Sequence, residues 1–492
     1  MRTSHKNLTR LLPIACVAIF ALISLTSWVD ESWHPEWDGA IYLLTAESLA
    51  RGDGYTYQGQ PFFLRPPGMS WLLSLFVDAD GFDPERINRL LTAFAAAAVG
   101  AIAWAVAAIH GSSRAALVAL LAGTSTIFTG ALNAVLSEFP FLFTFFLGIA
   151  AATHALRTER SPWAWLLLTA IAWSAALYLR TVAVLVLPGL VILGWRRRSL
   201  RIASLLTVSL VAGLAVPWLQ HAKEKAAEAE VPAEQLFLHD YGTAMFRVDP
   251  GDPSSELVDV AGWTKRIQKN GTEAWDDLAG LVWLNGSLAG RIAFLLLCLA
   301  GYVAAWKRGP TLFEWLAPVY LLLVLTYFTY ALRLTAPLVP LVYLYTLLAV
   351  EGLASLAFAR IARAKGPLAV RTCWIAGLGL LWVNSSQLEL PAPLPPAKQD
   401  QLTIAEWIRE NTPADATFMC NQAPVYELLT GRRFFTFRFL RRLNLLQRYP
   451  LDYVLFDQPQ KELMQAMRQG PTEREIIHTP LGSRIPIFRI RR

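Results

Sequence analysis

The sequence predicts a polytopic α-helical membrane protein with a small α/β domain at its C-terminal end, and three observations predict it. Hydrophobic residues make up 54% of the 492 positions and the mean hydropathy is +0.38, which is more apolar surface than a soluble chain of this size can bury. The apolar residues are gathered into runs, many of them near the roughly 20 residues that cross a bilayer, with the basic residues lying between them. After a proline-rich stretch at 390–398, LPAPLPPAK, the composition becomes that of a soluble domain.

In chain order the runs fall near 11–29, 89–109, 115–131, 139–156, 162–179, 181–194, 202–219, 291–306, 312–330, 337–358 and 372–386, about eleven transmembrane helices. Arg2, Lys6 and Arg10 precede the first run and no small-residue cleavage site follows it, so it reads as an uncleaved helix with a cytoplasmic N-terminus. Alternating sides from there places inside Arg114, Arg157 with Arg160, Arg196, Arg197, Arg198 and Arg201, Lys307 with Arg308, and Arg360, Arg363, Lys365 and Arg371. Every dense basic segment thus falls on one side, as the positive-inside rule requires. The same parity makes residues 67–80 begin and end outside, and a run this short suits a re-entrant or surface-lying helix better than a crossing.

The predicted domains are a membrane domain over 1–390, with a first extracytoplasmic loop at 30–88 and a long one at 220–290, and a soluble extracytoplasmic α/β domain over 398–492. In the latter the pattern predicts helices near 401–411 and 423–430 and strands near 416–420 and 433–437, with a further strand-like piece in DYVLFD. The long loop holds the helix-like HAKEKAAEAEVPAEQLFLHDY and the turn-rich VDPGDPSS.

Composition and motifs also exclude function classes. The net charge of +7 and pI near 9.2 read as topology signals and not as a nucleic-acid surface, because the basic residues sit between apolar runs. Cys16, Cys298 and Cys373 lie in apolar runs and Cys420 in a polar one, a scatter that gives neither a disulfide framework nor a zinc motif. There is no internal repeat, P-loop, dinucleotide fingerprint or metalloprotease motif, which argues against an ATP-driven pump or a protease.

The first long polar interruption, 30–68, is the richest in chemistry. It opens with Asp30, Glu31, Glu36 and Asp38 and closes on Arg65, Pro66 and Pro67. From Asp38 to Arg51, Ile41, Leu44, Thr45, Ser48 and Leu49 fall at helical spacing, which predicts an amphipathic helix lying along a membrane surface. Asp38 stands at its N-terminus, where the helix dipole favours a carboxylate, and Gly52, Asp53 and Gly54 stop it. Glu138, Arg180 and Arg333 sit in apolar surroundings, where a charge costs about 2.5–3.5 kcal/mol, so each is a functional candidate. The plain alternative is that each snorkels to the interface or pairs with a neighbour. His239 with Asp240 in the long loop is a candidate for binding an ion or substrate, set against an ordinary polar contact.

The order Asp38, Tyr42, SLARGDGY and RPPG resembles the first extracytoplasmic loop of GT-C fold glycosyltransferases that use polyprenyl-phosphate sugars, a group including protein O-mannosyltransferases, lipid A aminoarabinose transferases and RgtA/B/C/D-like bacterial enzymes. In that group an acidic residue follows the third helix in a context like Ser137 and Glu138, an Arg follows a helix like that ending at Tyr178, and an RxxxPxxP-like segment begins a late helix, as Arg333 with Pro337 and Pro340 does here. AEWIRENTPADATF and PVYELLTGRR resemble the C-terminal domain often attached to these enzymes, with a structural or acceptor-docking role.

The resemblance implies transfer of a monosaccharide from an undecaprenyl- or dolichyl-phosphate carrier to an extracytoplasmic acceptor (a glycolipid, polysaccharide or protein), with inversion, at the plasma (inner) membrane. It implies Asp38 as general base with Glu138 as its partner in one cavity, and donor or substrate contacts from Tyr42, Arg65, Arg180 and Arg333. The group usually shows an Asp-Glu pair where this chain has Asp38 followed by Gly39, so one member is kept. A divalent metal ion stays open as a cofactor, but some relatives carry an acidic residue directly before the basic one, where this chain has Leu64. The alternative from another class is a lipid-linked saccharide transporter or flippase, whose polar residues would be distributed through the membrane depth rather than gathered on one face.

Overall fold

The computed structural model describes residues 13–22, 35–62, 64–78, 81–132, 134–158, 162–185, 201–202, 205–208, 210, 245–248, 255–328, 331–357, 365–386, 396–436, 451–455, 474–477 and 487–490. In chain order the elements are α1 (Pro13–Leu22), α2 (Trp37–Ala50), β1 (Thr56–Tyr57), β2 (Gln60–Pro61), α3 (Gly68–Ser74), β3 (Val77–Asp78), β4 (Gly81–Phe82), α4 (Pro84–His110), α5 (Ser112–Gly123), α6 (Thr126–Thr129), α7 (Glu138–Arg157) and α8 (Trp163–Leu179). A 3-10 turn, Thr181–Leu185, precedes α9 (Val260–Gly280), α10 (Leu288–Lys307) and α11 (Leu312–Thr326). A second, Leu332–Leu338, runs into α12 (Val339–Ala357), followed by α13 (Lys365–Ser386), α14 (Pro396–Asn411), β5 (Thr417–Cys420), α15 (Ala423–Thr430), β6 (Arg433–Thr436), β7 (Tyr453–Leu455), β8 (Arg474–Ile477) and β9 (Ile487–Ile490). Two compact units divide the chain.

The first unit comprises Met1–Glu31, Pro84–Leu219 and Asp259–Leu390, and its described elements are helices. Pro84–His110, Glu138–Arg157, Leu288–Lys307 and Leu332–Ala357 are long and apolar enough to cross a membrane, and Pro13–Leu22, Ser112–Gly123, Trp163–Leu179 and Leu312–Thr326 are shorter apolar helices. The chain is a membrane protein. α4 packs on α5 and α7, α7 on α8, and α10 on α12. Small residues let these helices approach closely, as helix packing in lipid favours. A Cβ on Gly301 of α10 would fall 1.8 Å from the Tyr345 carbonyl oxygen of α12, and one on Gly148 of α7 would fall 2.3 Å from the Trp173 indole nitrogen of α8.

The run expected as one crossing over 115–131 is two helices. Thr124 Oγ1 donates to the Leu120 carbonyl, and Ser125 Oγ donates to the Ala122 carbonyl and caps α6 by accepting from the Phe128 amide, so α5 ends at Gly123. Of the expected crossing at 181–194, the described part is the 3-10 turn Thr181–Leu185.

Two charged clusters mark opposite ends of the helix that runs from Leu332 to Ala357. At its C-terminal end Glu351 accepts from Arg114 at 2.7–3.0 Å and from Arg308 at 3.5 Å. At its start Arg333 lies 3.7 Å from Glu138. Eighteen residues separate Arg333 and Glu351, roughly 27 Å of helix, close to the hydrocarbon thickness of a bilayer of about 30 Å.

The second unit comprises Ser32–Asp83, Gln220–Val258 and Pro391–Arg492. Its five-stranded sheet has the order β6-β5-β7-β9-β8, with β5 parallel to β6 and β7, and β9 antiparallel to β7 and β8. Phe418 stacks on Phe434 and on Tyr453, and Ile404 and Ile408 of α14 complete the core. α2 packs against α3, β1 and α15.

The expected surface-lying amphipathic helix at 38–51 is α2, and it is an interior helix. Trp37, Asp38, Gly39, Ala40, Ile41, Tyr42, Leu43, Thr45, Ala46 and Ser48 are all buried, which leaves no lipid-facing stripe. Of the span 67–80, the described residues form the seven-residue α3 and strand β3, which pairs with β4.

Candidate functional site

In the second unit Asp38 occupies the first turn of α2, preceded by Pro35 and Glu36. Its carboxylate is gripped at both oxygens by Arg65, with Nη2 to Oδ1 at 2.5 Å and Nη1 to Oδ2 at 2.5 Å, the two-point fit of a planar guanidinium to a carboxylate. Tyr42, one turn beyond Asp38 on the same face of α2, lies with its ring 5.6 Å below the Arg65 guanidinium. Pro66 restricts the Arg65 backbone, and Tyr55 Oη donates to the Arg65 carbonyl at 3.2 Å. Thr45 Oγ1 and Ser70 Oγ, 2.7 Å apart, tie α2 to α3.

Burial works against the Arg65 charge, but the attraction of Asp38 and Tyr42 and their hydrogen bonds hold its pKa well above the ordinary value. Arg65 is therefore a permanent cation. Its Nε is buried and has no hydrogen-bond partner among the described residues. A buried N–H without an acceptor is costly, and a ligand oxygen would relieve it.

In the first unit Glu138 begins α7 and is 3% exposed. Its Oε1 accepts from Arg180 Nη1 at 2.5 Å and lies 3.7 Å from Arg333 Nε. Arg180 follows the last residue of α8 and stands 5.7 Å from the centre of the Phe141 ring. Glu138 Oε2 is buried and accepts no hydrogen bond among the described residues. Two cations face one carboxylate here, leaving a net positive site with a free acceptor valence, a combination suited to an anionic group beside a hydroxyl.

The sequence candidates thus form an Asp38, Tyr42 and Arg65 group within one unit and a Glu138, Arg180 and Arg333 group within the other. His239 and Asp240 lie outside the described residues. Among the described residues no group of three or more His, Cys, Asp and Glu side chains could hold a metal ion, and Asp38 and Glu138 are each engaged by arginine. The described donor set does not fit a divalent cation.

Sequence reasoning missed Glu427 of α15. Its Oε2 accepts from Tyr57 Oη at 3.2 Å and from Gln58 Nε2 at 2.5 Å. Burial raises its carboxyl to about 7, against hydrogen bonds from Gln58, Tyr57 and the Phe434 backbone and the charge of Arg433, all of which lower it. Its one local signal was a carboxylate amid the apolar PVYELL.

No known sequence family matches the chain, and no curated protein does. Solved structures do. ArnT from Cupriavidus metallidurans bound to undecaprenyl phosphate superposes with a TM-score of 0.60 at 11% identity, covering 97% of this chain and 97% of that one. The archaeal oligosaccharyltransferase AglB from Archaeoglobus fulgidus, in complex with an inhibitory peptide and a dolichol-phosphate, gives a TM-score of 0.59 at 11% identity, covering 90% of this chain and 69% of that one. The fold of this chain is the GT-C fold.

Proposed function

We propose that this protein is an inverting glycosyltransferase that moves a monosaccharide from a polyprenyl-phosphate carrier to an acceptor on the extracytoplasmic face of the plasma (inner) membrane. The observation that carries the reading is the part-buried Asp38 and Arg65 pair with its buried, unfilled Arg65 Nε, on a chain that shares its fold with a protein bound to undecaprenyl phosphate.

A phosphate oxygen of the donor takes the Arg65 Nε and draws the guanidinium toward itself, loosening its grip on Asp38. The carboxylate so released accepts the proton of the acceptor hydroxyl as that oxygen attacks the anomeric carbon from the face opposite the phosphate. The bond from carbon to the phosphate oxygen breaks, and the polyprenyl phosphate departs as a stable anion beside Arg65, so no acid is needed for the leaving group. Before the donor binds, Arg65 holds Asp38 neutralised. Glu138, Arg180 and Arg333 supply a second polar site for the anionic and hydroxyl groups of the substrates. In this reading the N-terminus is cytoplasmic and residues 398–492 are extracytoplasmic.

Native mass spectrometry of the detergent-purified protein with undecaprenyl phosphate tests donor recognition. A one-to-one adduct is expected, weakened about tenfold or more by Arg65→Gln, as the loss of a charge-assisted contact implies. Equal binding of the uncharged polyprenol, or no effect of Arg65→Gln, contradicts the reading.

A further inference from the structure

We infer that Glu427 is a positioning residue for sugar transfer: it latches the β1–β2 hairpin and, through it, sets the distance between Asp38 and Arg65. The inference rests on the reading of Asp38 and Arg65 as the reacting pair.

The hairpin lies between those two residues in the chain and is wired to both. Ser48 Oγ of α2 meets Thr56 Oγ1 of β1 at 2.6 Å, which joins the hairpin to the helix that carries Asp38. Phe62 N donates to the Tyr55 carbonyl at 3.1 Å, and Tyr55 Oη to the Arg65 carbonyl at 3.2 Å, which joins it to Arg65. Its tip is a two-residue turn of Gln58 and Gly59 with φ of 52° and 76°, the left-handed pair that a tight hairpin needs.

Gln58 is the unexpected member of this turn. A glycine would adopt that conformation without steric cost. What Gln58 supplies instead is its amide: Nε2 donates to Glu427 Oε2 at 2.5 Å and to the Phe434 carbonyl at 2.7 Å. Tyr57 Oη donates to the same Glu427 oxygen at 3.2 Å. One carboxylate of α15 and one carbonyl of β6 therefore fix the tip of a hairpin some 370 residues away in the chain.

A cavity of about 690 Å³ adjoins the latch, lined by Ser48, Arg51, Asp53, Thr56, Gln58 and Glu427 among others, so an open, hydrated state of the carboxylate is within reach. Among the described residues, Tyr57 on β1 and Arg433 on β6 act on the Glu427 carboxyl, and Arg51 and Asp53 line the same cavity. Burial raises the Glu427 carboxyl from 4.5 to about 7 in the latched state. The latched state therefore binds the proton more tightly than a hydrated one, and latching weakens as pH rises from 4.5 toward 7 and changes no further above that.

Transfer by the full-length protein, measured from pH 5 to 8 for wild type, Gln58→Gly, Glu427→Gln and Asp38→Asn, tests the latch. Gln58→Gly suits the turn yet removes both contacts, so it should unfold at the wild-type temperature while kcat/KM falls about tenfold or more, the scale of a small misplacement of reacting groups. Glu427→Gln keeps an acceptor oxygen for Tyr57 and Gln58 but cannot ionise, so it should retain the acid-side rate and lose the decline toward pH 7. A folded Gln58→Gly protein with wild-type kcat/KM, or a Glu427→Gln profile identical to wild type, overturns the latch. Should Gln58→Gly fail to fold, the Glu427→Gln profile alone decides. Inactivity of Asp38→Asn alongside a fully active Gln58→Gly removes the latch only; an active Asp38→Asn removes the site reading and the latch with it.

Discussion

Asp38→Asn is expected to lower the rate of sugar transfer by about 10²-fold or more while donor binding survives, the result of losing the proposed general base. The amide keeps the size of the carboxylate and can still accept a hydrogen bond from Arg65, so the part-buried pair is not replaced by a hole. What disappears is the proton-accepting charge. Arg65 also loses its counter-ion, and because both of its Nη atoms hold Asp38 in the wild type, the variant should bind the donor phosphate at least as tightly. Single-turnover transfer measured beside native mass spectrometry separates the two effects. A general drop in donor affinity at unchanged turnover would make Asp38 a binding residue rather than a base.

Glu138→Ala should cost stability, about 3–5 kcal/mol, because it strips the shared, buried carboxylate from Arg180 and Arg333. Glu138 is 3% exposed, so solvent screening does little to soften the change, and added salt should not rescue it. Thermal unfolding in detergent checks the size. Combining Glu138→Gln with Arg180→Gln should recover part of the loss that Glu138→Gln alone causes, since Arg333 is then the one cation of the cluster left without the shared carboxylate. Strict additivity of the two substitutions would mean that the 2.5 Å contact carries no coupling.

The residues legible in the sequence were those whose cost in lipid makes them conspicuous. Glu138, Arg180 and Arg333 were singled out one by one as charges in apolar runs, and the structure brings both arginines to the one carboxylate. That Glu138 is the carboxylate the two arginines share was not legible, because α7, α8 and the turn before α12 come together only through helix packing. Asp38 and Arg65 were marked by their order in the chain, but their bidentate contact depends on a hairpin that folds the loop back on itself.

The surface-helix reading of 38–51 failed for a definite reason. Helical spacing of apolar residues says that a face is covered but not by what, and α15, one of its covers, lies far along the chain. Glu427 was missed on the same ground, its partners Tyr57 and Gln58 being 370 and 369 residues away. The break after Gly123 hid inside an apolar run, where Thr124 and Ser125 bond back to the preceding turn. In the C-terminal region the local signals sufficed. The elements Thr417–Cys420, Ala423–Thr430 and Arg433–Thr436 fall where glycine and alternating apolar residues predict them, and the helix expected from 401 begins at Pro396, inside the proline-rich stretch.

The reading turns on whether sugar leaves the carrier. Protein reconstituted in liposomes with undecaprenyl-phosphate sugars labelled in the sugar and a cell-envelope extract as acceptor, with products followed by chromatography and anomeric NMR, measures this directly. The expected result is acceptor-dependent release of undecaprenyl phosphate, label in the acceptor with inverted anomeric configuration, and loss of both with Asp38→Asn. Passage of the intact lipid-linked sugar from one leaflet to the other with no release, or release that Asp38→Asn leaves unchanged, would contradict it.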